Sequence, residues 1–218
     1  EFTMLELYAA WWDEEDMMKF VEEFFVSLVK EFFKKSEFEF EGNSISVEPP
    51  FKRISFKELL KKYALISDYD AMDLKRMAAE AARHGIEVEK HDTKGKLADE
   101  IYKKICRPHL IEPTFVVHHP IEISPLAKER QNNPEEVRRF QLIVAGLELT
   151  NGFAELNDPI EQRTRFLAQE KGRGGGEGEK HPMDGEFIEA VEYGMPPAAG
   201  LGVGIDRLAM LLTNASNV

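Results

Sequence analysis

From Asp13 to Lys35 the apolar residues Met17, Phe20, Val21, Phe24, Phe25, Leu28 and Phe32 recur at spacings of three and four, the period of one helix face. The pattern predicts an amphipathic helix with Asp13 as N-cap, an aromatic stripe facing the core, and Lys34 and Lys35 beside its C-terminal carbonyls. Ahead of it, Thr3 to Trp12 alternates as a strand, with Met4, Glu6 and Tyr8 on one face and Thr3, Leu5 and Leu7 on the other. A carboxylate beside a phenol on one face is either the solvated side of a sheet or a pocket wall that accepts a cation. Phe38 to Val47 predicts a hairpin turning near Gly42-Asn43 and ended by Pro49-Pro50. Three short helices are expected over Ile54–Tyr63, Asp73–His84 and Gly95–Cys106. The charged stretch 68–106 reads as a helical insertion with a solvated surface, in which neither His84 nor His91 has a partner that would make it a ligand.

The second half opens on a strand-like run, Pro113 to Pro120, followed by a loop over Ser124–Lys128. His118 and His119 are consecutive, so they face opposite ways and do not share a metal. Arg139 to Leu156 predicts a hairpin whose two-residue loop is Ala145-Gly146, with Val144 facing Leu147, Ile143 facing Glu148 and Gln141 facing Thr150. Gln141 and Glu148 are then diagonal neighbours, roughly 7–8 Å apart at Cα, and could seat one divalent cation through oxygen. Asn151, Phe153 and Glu155 have the other parity. Either one set faces solvent, or a bulge near Asn151-Gly152 brings both into one pocket. Ile160–Glu170 and Glu186–Tyr193 predict helices, and Lys171 to Lys180 is a flexible glycine-rich loop by composition.

The chain then reaches Gly200-Leu-Gly-Val-Gly-Ile-Asp-Arg207. Alternate glycines Gly200, Gly202 and Gly204 leave one strand face bare, onto which a flat or phosphorylated ligand can lie. Asp206 and Arg207 open a helical pattern at the strand's end, where a guanidinium and free amides can meet phosphate. No Rossmann glycine fingerprint or phosphate-binding Gly-Lys-Ser/Thr loop occurs.

Composition narrows this reading. A chain of 218 residues, 43% hydrophobic, can bury a substantial core. Its net charge of -12 argues against its being the main nucleic-acid grip, so any polyanion it binds is held locally. One cysteine excludes an internal disulfide framework, and no His/Cys cluster has zinc spacing. With neither a signal peptide nor a membrane-length apolar run, a cytoplasmic location is expected and no membrane partner.

Several segments fit one family together. Gly200 to Arg207 resembles motif 3 of the class II aminoacyl-tRNA synthetases. Glu1-Phe-Thr-Met-Leu-Glu-Leu-Tyr8 resembles the second strand of motif 2 in the lysyl-tRNA synthetases, and Asn151-Gly-Phe-Ala-Glu-Leu-Asn157 their lysine-pocket strand. Pro113-Thr-Phe, Ile123 to Lys128 and Tyr193 to Gly200 also resemble that family. The resemblance implies an α+β fold in which 1–218 is part of a catalytic domain, an antiparallel sheet flanked by helices, with the 68–106 insertion between motifs 2 and 3.

The activity it implies is ATP-dependent activation of lysine to lysyl-adenylate and transfer to tRNA(Lys). Phe2 would stack on adenine, Gly202 and Gly204 would line the ATP site, and Arg207 would hold the γ-phosphate. Glu148 would bind magnesium with Gln141, which stands where the family usually has a second glutamate. Glu6, Tyr8, Asn151, Phe153 and Glu155 would form the amino-acid pocket, Glu155 meeting the substrate ε-ammonium. The motif 2 arginine, motif 1 and the anticodon-binding barrel that grips most of the tRNA would lie outside this chain. A homodimer is implied for the full-length protein, and no adenylate formation by this chain alone. Two other readings stay open: a synthetase-like paralogue that lysylates a protein, and a non-catalytic ATP-binding module prompted by Gln141.

Overall fold

The computed structural model describes residues 1–172 and 184–217. Strand β1 (Met4–Ala10) runs into helix α1 (Glu14–Phe33), and a hairpin of β2 (Glu37–Phe40) and β3 (Asn43–Ser46) follows. Asp13 caps α1: its Oδ1 accepts from the amides of Glu15 and Asp16 at 3.0 and 3.1 Å, and the Asp16 carboxylate accepts from the Asp13 amide at 3.2 Å. This satisfies three amides that the first helical turn leaves without intrahelical partners. The hairpin turns one residue earlier than expected, because Glu41 and Gly42 take the positive-φ positions and Asn43 already pairs with Phe40.

Lys52–Ser55 forms strand β4 before helix α2 (Phe56–Tyr63), where the sequence pattern suggested a helix from Ile54. This edge strand shows no apolar alternation. Its last residue doubles as the helix cap, with Ser55 Oγ accepting from the Glu58 amide at 3.2 Å. Helices α3 (Leu74–Arg83) and α4 (Lys94–Ile101) come next, and α4 continues into a single π-helical stretch, Tyr102–Cys106. Strand β5 (Thr114–Val117) ends sooner than the apolar run, because His118 adopts a left-handed conformation with φ 58°. A small ribbon that the pattern did not reveal, β6 (Glu129–Arg130) with β7 (Asn133–Val137), precedes the hairpin of β8 (Arg139–Val144) and β9 (Leu147–Ala154). Helices α5 (Pro159–Gly172) and α6 (Gly185–Glu192) lead to β10 (Ala198–Gly204) and α7 (Ile205–Thr213). From residue 173 on, the glycine-rich loop lies outside the described residues.

Six strands form one sheet in the order β1-β10-β9-β8-β5-β4, antiparallel throughout except for the β4–β5 pair. Its two faces bury different partners. Phe115, Val117, Phe140, Leu142, Leu201 and Val203 pack with Met17, Met18, Val21, Phe25 and Val29 of α1. On the other face Val116 and Ile143 pack with Phe56, Leu60, Met77, Leu97, Ile101 and Tyr102. The 68–106 segment therefore does more than present charge: its apolar side covers the β5–β8 half of that face. The β1–β10–β9 half is left open, and the candidate site lies there. Among the described residues no helix is long and apolar enough to cross a membrane.

Replacing Asp13 removes the cap and one of two ion pairs that Arg138 makes with this helix start: Arg138 Nη2 lies 3.0 Å from the Asp13 carboxylate and stays paired with Glu14 at 2.7 Å. Asp13→Ala is expected to lower the unfolding free energy by about 1–2 kcal/mol, read from the midpoint and slope of urea denaturation.

Candidate active site

Side chains of directly opposed residues in antiparallel strands share a face, so the observed register assembles the site row by row. One row runs Tyr8, Gly200, Phe153 and Arg139 across β1, β10, β9 and β8. The next runs Glu6, Gly202, Asn151 and Gln141. Gln141 thus opposes Asn151 and not Thr150 as the simple hairpin register predicts. The cause is a bulge two residues earlier than the one considered from sequence: Glu148 opposes Ile143 while Thr150 opposes Leu142, leaving Leu149 as the extra residue. Leu149 and Thr150 are both buried. Glu148 therefore lies on the same face as Asn151, Phe153 and Glu155 despite its different parity.

The glycines shape the floor. A Cβ on Gly200 would stand 2.1 Å from Glu155 Oε1 and 2.9 Å from Tyr8 Cε1. No side chain fits there, so the Glu155 carboxylate lies directly over backbone. Its amide is fixed by donating to the Ala198 carbonyl at 2.9 Å. Its Oε1 is buried without a hydrogen-bond partner, and burial pushes its pKa up to about 7. A buried acceptor left unpaired costs free energy, and a cationic ligand would relieve that cost. Burial, then Glu155 and Glu6, raise the Tyr8 hydroxyl pKa, so both carboxylates act on that hydroxyl.

At the other end of β10, Arg207 donates from Nη1 to the Glu148 carbonyl at 2.9 Å, which holds its guanidinium over β9. The Thr3 amide donates to Asp206 Oδ2 at 3.0 Å and the Ile205 amide to the Thr3 carbonyl at 3.1 Å. This clamp brings Phe2, 75% exposed, to the same end of the sheet as Gly204 and Arg207.

The expected cation seat is not formed as read. Gln141 is buried, and its Oε1 lies 3.2 Å from the Tyr102 hydroxyl and 3.2 Å from His119 Nε2. Its amide oxygen is thereby engaged inside the protein. Glu148 is left as a lone carboxylate, 3.8 Å from Arg107 Nη1. Among the described residues no group of three or more His, Cys, Asp or Glu side chains is placed to hold a metal ion. Gln141 and Glu148 do not fit a two-ligand magnesium site.

A family model described as tRNA synthetases class II (D, K and N) matches residues 1–218. The chain belongs to the class II tRNA synthetases. It is 45% identical to a lysine-tRNA ligase of Pelotomaculum thermopropionicum, the match covering 100% of this chain and 44% of the relative. The enzymes of that name from Moorella thermoacetica and Bacillus subtilis are 43% and 41% identical, each match again covering all of this chain and 45% and 44% of the relative. The chain spans less than half the length of these curated relatives.

Set on this class II sheet, Glu6, Tyr8, Asn151, Phe153 and Glu155 converge around Gly200 and Gly202, while Phe2, Glu148, Gly204 and Arg207 gather at the β10–α7 end. Sequence reasoning gave no role to Arg139. This arginine shares the first row, donating from Nε to Asn151 Oδ1 at 2.8 Å and from Nη1 to the Ile123 carbonyl and Ser124 Oγ at 3.1 and 2.9 Å. Its parity with Gln141 was the available signal. Arg107, Tyr102 and His119 were also missed, since only tertiary packing brings them to β8 and β9.

Because Glu155 is harder to ionise in the folded state than in the unfolded one, its contribution to stability is fully present below the carboxylate's ordinary value of 4.5 and is lost as pH rises through about 7. Carboxyl-selective NMR titration of the ligand-free protein should place a Glu155 midpoint near 7. Glu155→Gln should flatten the loss of unfolding free energy across that interval.

Proposed function

We propose that this chain supplies the lysine pocket and the ATP γ-phosphate end of a lysine-tRNA ligase catalytic domain, which activates lysine as lysyl-adenylate and transfers it to tRNA(Lys). The observation that carries the reading is the buried, unpartnered Glu155 carboxylate over Gly200, beside Tyr8 and Glu6. An ε-ammonium placed there gains a partly desolvated ion pair and the Glu155 oxygen gains its missing donor. Amino acids lacking that charge leave the carboxylate unpaired and are rejected.

In this reading the lysine carboxylate attacks the α-phosphorus of ATP in line. One P–O bond forms, the bond to the β-phosphate oxygen breaks, and pyrophosphate leaves. The residues of this chain bind and orient. Glu155, with Glu6 and Tyr8, holds the ammonium end; Asn151 and Phe153 line the pocket between it and the phosphates. Gly202 and Gly204 let the ligand approach backbone, Phe2 stacks on adenine, and Arg207 holds the γ-phosphate bidentately. No residue here serves as a nucleophile, and because Gln141 and Glu148 do not form a cation seat, no step is assigned to magnesium through them.

The relatives named lysine-tRNA ligase and the whole-chain family match support this choice of substrate. A homodimer, a cytoplasmic setting and tRNA contact made mainly through other domains of the full-length protein belong to the same proposal.

Lysine-dependent ATP–pyrophosphate exchange by the full-length protein tests it. Exchange is expected, with Glu155→Gln lowering kcat/KM for lysine by roughly 100-fold or more, the cost of stranding one partner of a buried ion pair. Arg207→Met is expected to raise the KM for ATP and leave the KM for lysine nearly unchanged. ATP binding without exchange in the wild type would replace the ligase reading with a non-catalytic nucleotide-binding module.

A further inference from the structure

We propose that Gln141 and Asn151 act as a pair of amide donors for one anionic oxygen of a bound substrate, a phosphate or the amino-acid carboxylate, and that Gln141 is not a metal ligand. The proposal rests on the reading of the cleft as an ATP and lysine site.

The two residues are direct cross-strand partners at the boundary between the open and the covered half of this face, Asn151 next to Gly202 and Gln141 beneath Tyr102, which places their Cβ atoms about 5 Å apart. The orientation of each amide is set from behind. Arg139 Nε lies 2.8 Å from Asn151 Oδ1, and an arginine can only donate, so the amide must turn its oxygen to Arg139 and its NH₂ away. At Gln141 the same is done by the Tyr102 hydroxyl and His119 Nε2, each 3.2 Å from Oε1. Tyr102 is buried, and Gln141 Oε1 is the acceptor its O–H reaches. His119 adds a second donor in its Nε2–H tautomer. Among the described residues neither amide nitrogen has a hydrogen-bond partner, and neither is among the fully buried polar atoms left without one. Each therefore keeps some exposed surface, Asn151 as a half-buried residue and Gln141 with only 4% of its surface exposed.

Carboxylates and arginines share this face: Glu6 lies in the same row as the two amides, and two guanidiniums flank Glu148. Arg207 Nη1 lies on the Glu148 carbonyl at 2.9 Å, and Arg107 Nη1 stands 3.8 Å from the Glu148 carboxylate. A glutamate at position 141 would need a bridging cation before it could meet a phosphate or carboxylate oxygen. An amide with its oxygen tied back meets that oxygen directly. Tyr102 and Arg139 are then positioning residues, holding the donors without touching the ligand.

The test is calorimetric titration of the full-length protein with ATP and, separately, with lysine, both in EDTA. A parallel Mn²⁺ titration follows the free ion by electron paramagnetic resonance. Thermal melts of every variant confirm folding. Gln141→Met is expected to raise the Kd of one ligand roughly tenfold or more, and the ligand affected identifies the oxygen's owner. It should leave the Mn²⁺ affinity within about twofold. Gln141→Glu should weaken the same ligand further in EDTA, and Tyr102→Phe should weaken that ligand alone to a smaller degree. The proposal is overturned if Gln141→Met weakens Mn²⁺ binding while both ligands bind as before, or if all three affinities are unchanged. A wild type that binds neither ATP nor lysine would instead sink the underlying reading of the cleft, and this proposal with it.

Discussion

One extra residue in β9 decides what this sheet can do. Without the bulge at Leu149, strict alternation would send Glu148 to the α1 side of the sheet while Asn151, Phe153 and Glu155 faced the cleft. With it, Leu149 and Thr150 both go to the buried side, and the polar residues on either side of them arrive on one face. The cost is a local break in the ladder. What stabilises that break is the core around α1, where Leu149 packs with Leu142, Phe140 and the helix stripe. Packing on one face thus determines the composition of the other.

The open face is defined as much by what covers its far half. The helices between α2 and β5 bury Val116 and Ile143 but stop short of β9, and their last contact with the site is polar: Tyr102 to Gln141. Arg107 lies just past that helical stretch and reaches Glu148. The insertion is therefore a wall of the cleft as well as a lid on half the sheet, and its side chains set the orientation of groups on β8.

Most of the architecture could be read from periodicity and punctuation. Helix α1 announced itself through its apolar spacing and Asp13, and the strand that carries Gly200 through its alternating glycines. Short edge elements were harder. Lys52–Ser55 is strand only because β5 lies beside it, and β6 and β7 have no apolar period. The pocket residues Glu6, Tyr8, Asn151, Phe153 and Glu155 were proposed from a resemblance, and parity alone could not unite them with Glu148, because a bulge leaves no mark on a one-dimensional pattern. At Gln141 residue type suggested an available oxygen, and its hydrogen-bond contacts with Tyr102 and His119 are ones that no sequence pattern announces. Arg139, Tyr102 and Arg107 are polar residues whose meaning comes entirely from neighbours distant in the chain.

The seat of Glu155 has one more consequence. With a pKa of about 7, about half of the ligand-free pockets at neutral pH carry a protonated, uncharged carboxyl group. An ammonium bound there, as proposed, would favour the ionised form, and about half a proton per pocket would pass to the buffer at neutral pH. The heat of binding would then carry a matching share of the ionisation heat of whichever buffer takes up that proton.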